Sequence, residues 1–127
     1  MTPIGNWHSI DDETKKPKAE VRISLNAAGT LSGVVEKSLL PVSDEDPLCN
    51  LCTDDRKGKP KIGMEIIRGV KVEPLSEFLW GGGGKILDPE NGKEYAVKMS
   101  PKEGGQKLQV RGYIGPFYRT QVWLRAQ

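Results

Sequence analysis

The sequence predicts an all-β protein, a small antiparallel up-and-down barrel of about eight strands. Two observations carry this. Fifteen glycines and nine prolines in 127 residues fall mainly between short apolar runs, the punctuation of a turn-rich sheet rather than of helices. Within the runs, apolar and polar residues alternate with the period of two that a half-buried strand requires. A barrel of about eight strands is just wide enough to hold one small ligand. A two-sheet sandwich is the other architecture that fits the pattern.

Ile4 to Ile10 opens the chain as a short strand, and the run Asp11-Asp12-Glu13-Thr14-Lys15-Lys16-Pro17-Lys18 is a solvated connection. From Ala19 to Asn26, Val21, Ile23 and Leu25 share one face while Arg22 and Ser24 share the other. Ala27-Ala28-Gly29 then turns the chain into a hairpin partner over Thr30 to Lys37. Ser38 to Pro60 is the longest irregular stretch, and so long a loop in a small domain is usually functional or covers something. Ile62 to Val72 reads as strand; Met64, Ile66, Ile67 and Val70 would also fit a short helix, against which Gly63 and Gly69 weigh.

Phe78 to Leu87 is a strand interrupted at Gly81 to Gly84, and Asp88-Pro89-Glu90-Asn91-Gly92 turns the chain into Lys93 to Ser100. Gly104-Gly105 leads to Lys107 to Gly115, Pro116 breaks that run, and Tyr118 to Arg125 is the final strand.

The length suits one core, so residues 1–127 are expected to form a single barrel domain. Nineteen Lys and Arg against seventeen Asp and Glu give a net charge of +2. The two signs are interleaved, which argues against a nucleic-acid partner. Apolar stretches of only a few residues exclude a transmembrane helix, which needs about 20.

The Cys49-Asn50-Leu51-Cys52 pair fits a disulfide, a redox centre or half a metal site. Zinc takes four ligands, and with His8 the sole histidine it would have to recruit carboxylates. A redox thiolate needs cationic neighbours, whereas Asp46, Asp54 and Asp55 crowd the pair. A local disulfide is therefore the favoured reading, and no metal or other cofactor is expected.

Gly81-Gly82-Gly83-Gly84-Lys85 lacks the Ser or Thr and the following helix of a phosphate loop, so it reads as a bulge or sharp bend. The carboxylates sit in turns, where acids cap and solvate, and the serines have no nucleophile-elbow context. No catalytic residue and no enzyme activity is expected. Arg56, Lys57, Lys59 and Lys61 make one basic cluster, either a solvated loop or a contact for an anionic surface or another protein.

The last two strands are the most informative. Leu108, Val110, Gly112 and Ile114 oppose Gln109, Arg111 and Tyr113; Arg119, Gln121, Trp123 and Arg125 oppose Thr120, Val122 and Leu124. Each strand has one apolar face and one arginine-aromatic face, and a period of two does not say which is inside.

Pro3-Ile4-Gly5-Asn6-Trp7, Lys16-Pro17-Lys18, Asp46-Pro47-Leu48-Cys49, Arg56-Lys57-Gly58-Lys59-Pro60, Gly83-Gly84-Lys85-Ile86-Leu87-Asp88-Pro89-Glu90-Asn91-Gly92-Lys93, Val110-Arg111-Gly112-Tyr113-Ile114-Gly115 and Arg119-Thr120-Gln121 together resemble the bacterial family known as domain of unknown function 2147. The resemblance spans nearly the whole chain. It implies an exported protein, periplasmic or secreted, in which Met1 stands where a signal peptide has been removed. It brings no established activity.

Gly5-Asn6-Trp7 also resembles the opening of lipocalins, in which a Gly-x-Trp begins the first strand and an arginine from the end of the barrel stacks on the Trp. Here Arg119 or Arg125 would supply that cation. Trp7 as a plain core aromatic is the alternative.

The expected function is binding of a small amphipathic or anionic ligand. Arg111 would pair with its acidic group, Tyr113 would donate a hydrogen bond, and Trp7, Trp80 and Trp123, with Arg119 and Gln121, would complete the site. The runner-up is an envelope interaction or structural module with a filled core.

Overall fold

The computed structural model describes residues 2–40, 46–73 and 76–126, the side chains of 76–78 excepted. Met1 and part of the long irregular stretch, residues 41–45, lie outside the described residues.

Among the described residues nine antiparallel strands follow one another: β1 (Gly5–Ile10), β2 (Pro17–Leu25), β3 (Leu31–Ser38), β4 (Glu65–Glu73), β5 (Ser76–Gly81), β6 (Lys85–Asp88), β7 (Lys93–Lys102), β8 (Lys107–Ile114) and β9 (Phe117–Arg125). A 3-10 turn, Glu103–Gly105, joins β7 to β8. In the sheet, β3, β2, β1, β9, β8 and β7 lie side by side, and pairing of β3 with β4 brings the sheet back on itself. β5 and β6 both lie between β4 and β7. They are two halves of one broken strand, so the nine segments make an eight-strand closed barrel. Closure excludes the sandwich, and β4 excludes the helix as an alternative for 62–72.

The break between β5 and β6 comes from the glycine run. Gly82 and Gly83 have φ of 56° and 88°, a left-handed region costly for other residues, and the Gly84 N–H closes the turn on the Gly81 carbonyl at 2.9 Å.

The two ends of the barrel differ. At one end Trp7, Ile23, Leu31, Val70, Met99 and Leu108 are all at most 1% exposed, and each such side chain contributes about 1.5–3 kcal/mol through burial. Arg125 seals this floor. It lies directly opposite Trp7 across the β1–β9 pair, with its guanidinium carbon 4.3 Å from the ring centroid. Arg125 Nε donates to the Gly105 carbonyl at 2.6 Å, and Trp7 Nε1 donates to the Pro3 carbonyl at 2.7 Å. Gly5 makes room for the arrangement, because a Cβ there would collide with Arg125 Nη1. The expected cation–π closure is therefore present, supplied by Arg125 and not by Arg119.

The other end carries the β1–β2, β3–β4, β6–β7 and β8–β9 connections. Its largest piece, the β3–β4 connection, is fastened to the wall. Cys49 and Cys52 form a disulfide with a Cα–Cα distance of 5.4 Å. Leu48 forms an isolated antiparallel bridge with Pro60.

Arg56 turns inward and is 4% exposed. It donates from Nη1 to the Glu65 carbonyl at 2.9 Å, from Nη2 to Glu94 at 2.8 Å, and from Nε to both Asp54 oxygens at 3.1 Å. Arg68 of β4 forks onto Asp55 with two 2.9 Å bonds. Arg56 is thus an internal clamp, which removes it from the expected basic surface cluster. Lys57 and Lys59 remain exposed, while Lys61 lines the barrel mouth. Among the described residues, no helix is long and apolar enough to cross a membrane.

Candidate functional site

Above the sealed floor the barrel opens toward its loop end. A cavity of about 720 Å³ opens between the loops. Val21 of β2, Val35 of β3, Ile66 of β4, Leu87 of β6 and Val110 of β8 form its apolar wall, with Trp123 of β9 on its floor. These side chains face inward for the reason the alternation gave: on each strand they hold the buried parity. The lower part of this wall is packed, with Val21, Leu87, Val110 and Trp123 at most 4% exposed, and the space widens toward Ile62, Ile114 and Phe117 at the loop end.

The barrel brings together only part of the expected site. Arg119, Gln121 and Trp123 line the cavity. Arg111 and Tyr113 do not. In the β8–β9 hairpin Arg111 lies opposite Thr120 and Tyr113 opposite Tyr118, while Gly112 lies opposite Arg119. The arginine-aromatic face of β8 is consequently outside and that of β9 inside. Outside, Arg111 Nε donates to Thr120 Oγ1 at 2.8 Å, its guanidinium lies 4.5 Å from the Tyr118 ring centroid, and Tyr113 packs on Tyr118 at 5.8 Å. This cluster occupies both residues with each other's strand and leaves the cavity without them.

Trp7 and Trp80 are also absent from the cavity lining: Trp7 is the floor beneath it, and Trp80 packs against the core cluster. Trp80 Nε1 has no hydrogen-bond partner among the described residues.

Polar groups gather at the mouth. Trp123 Nε1 donates to Gln121 Oε1 at 3.0 Å, and Gln121 Nε2 donates to Asp12 Oδ2 at 3.1 Å. Arg119 Nη2 donates to that same Asp12 oxygen. Lys18 pairs with Glu90 nearby, both of them cavity-lining, and Asn91 Nδ2 donates to Tyr95 Oη at 3.3 Å. Sequence reasoning treated Asp12 as a solvating turn residue. Its role rests on a contact 107 residues away along the chain, for which a local pattern carries no signal.

A family model described as an uncharacterized protein conserved in bacteria, DUF2147, matches residues 5–125. The chain belongs to that family. No curated protein matches it. Among solved structures it is similar to protein HP1028 of the human pathogen Helicobacter pylori, described as belonging to the lipocalin family. The two align with a TM-score of 0.80 at 14% identity, over 100% of this chain and 84% of that one. That likeness is one of fold, and the fold is lipocalin-like.

Proposed function

We propose that this member of the family is an exported, non-enzymatic binding protein that takes one small amphipathic or anionic ligand into its barrel. The observation that carries the proposal is the cavity itself. About 720 Å³ of open space lies within the roughly 300–1,000 Å³ of small-molecule sites, which are mostly apolar with a few placed polar groups. Such a hollow costs packing energy that a filled barrel of the same size would recover, and a ligand's apolar part restores those contacts.

Export is supported by the Cys49–Cys52 disulfide, because structural disulfides persist in oxidising compartments. A lipocalin-like architecture supports binding, since barrels of about eight strands hold a single ligand. The floor sealed by Trp7 and Arg125 makes the cavity a cup and not a channel.

Titration with decanoate and decanol, read by the change in tryptophan emission and by native mass spectrometry, tests the proposal. One ligand per chain is expected. Val110→Trp, which places a bulky ring in the base of the cup, should weaken binding while the far-ultraviolet circular dichroism is kept; Arg111→Ala, on the outer face, should bind as the parent does. Failure of the parent to bind either probe, or binding unaffected by Val110→Trp, would overturn it.

A further inference from the structure

A carboxylate of the protein itself lies against two side chains that line the cavity. Asp12 comes from the β1–β2 connection, not from the barrel wall, and Arg119 and Gln121, both on the inner face of β9, donate to one of its oxygens. Gln121 is not free to turn. Its Oε1 accepts from the indole N–H of Trp123, which is 2% exposed, so its amide N–H is committed to the mouth. An aimed amide and a guanidinium therefore converge on a single anionic oxygen, the donor set that recognises a carboxylate.

We propose that Arg119 and Gln121 form a carboxylate subsite, that Asp12 occupies it as an internal stand-in, and that the acidic head of an amphipathic ligand replaces Asp12 when the tail enters the cup. This rests on the ligand-binding reading above and names the ligand class, a monocarboxylate with an apolar tail.

The exchange is inexpensive on physical grounds. The Arg119 and Asp12 side chains are 71% and 42% exposed, and exposed ion pairs are weak. Displaced Asp12 returns to water next to Asp11, whose carboxylate already accepts the Glu13 and Thr14 N–H groups at 2.9 and 2.8 Å; Asp12 is not needed to hold that turn. A ligand carboxylate conserves charge at the subsite, whereas a hydroxyl head would leave Arg119 to keep Asp12 and would gain nothing from the exchange.

The test compares decanoate with decanol, which differ only at the head, on the parent, Asp12→Ala, Arg119→Ala and the double variant. Asp12→Ala should tighten decanoate about three- to fivefold, the scale of an exposed ion pair, and leave decanol unchanged. Arg119→Ala should weaken decanoate alone, and in its absence Asp12→Ala should give no gain. Near-ultraviolet circular dichroism checks that the variants keep the fold. Decanol binding together with decanoate affinity indifferent to Asp12 would overturn the subsite and leave the cup standing. Failure of both probes on every variant would overturn both.

Discussion

Trp7 and Arg125 show how a single residue pair decides an end of the barrel. They face each other across β1 and β9, and the guanidinium lies on the indole while donating to Gly105. Arg125→Leu keeps the apolar cover and removes both the cation–π contact and the hydrogen bond. Such a loss is expected to cost about 1–3 kcal/mol, read as a lower urea midpoint at unchanged slope.

This end was legible in advance. Gly5-Asn6-Trp7 marks the opening strand, and the last strand had to return beside it for closure. The choice between Arg119 and Arg125 was not legible, because it depends on the β1–β9 register. Asp12 was still less so: its partners are set by barrel closure and not by its neighbours in sequence.

Among the elements, β8 and β9 carry the clearest lesson. Their alternation was visible, yet parity alone leaves the inner face undetermined. What the tight hairpin fixes, with Ile114 paired to Phe117 around Gly115 and Pro116, is how the faces of the two strands relate. That register sets Arg111 against Thr120 and Arg119 against Gly112, so the two arginine-bearing faces look in opposite directions. Pro116 reads from sequence as a break between strands; taking Gly115-Pro116 as a two-residue hairpin loop gives the register and shows that Arg111 and Arg119 cannot share a face.

The β3–β4 connection makes a second prediction at this scale. The Arg56 guanidinium, and then the Arg56 backbone N–H, hold the Asp54 carboxyl down at about 2 from an ordinary 3.8. Arg68 lowers the Asp55 carboxyl in the same way. A depressed folded value stabilises the native state above the unfolded value, and that contribution is lost as pH falls through 3.8 toward 2. The connection should therefore loosen in acid across this window, seen as reduced amide protection, relative to the intrinsic exchange rate at each pH, at Cys49 and Gly58, whose backbone bonds hold it together. Asp54→Asn should flatten the dependence, and exchange that is independent of pH-linked opening in the parent would count against the clamp.

For the molecule as a whole, a closed lipocalin-like barrel with a sealed floor and an open mouth is the frame on which everything else depends. The all-β class and most strand positions followed from glycine and proline placement and from alternation. Hollowness did not, because cavity volume is set by strand tilt and by which large side chains meet at one level, and these follow from registers across several pairs of strands. The inward residues Val21, Val35, Leu87 and Val110 could have been assigned to a core from sequence, and all four also line the cavity.

The central claim is that the cup is where ligand goes. Methyl-resolved nuclear magnetic resonance during a decanoate titration tests it most directly. The account predicts that methyl signals of Val21, Val35, Leu87 and Val110 shift together and saturate at one equivalent, while Leu25 and Leu124, exposed on the barrel, stay in place. Shifts confined to the outer residues, or cavity methyls that do not move at saturating decanoate, would contradict it.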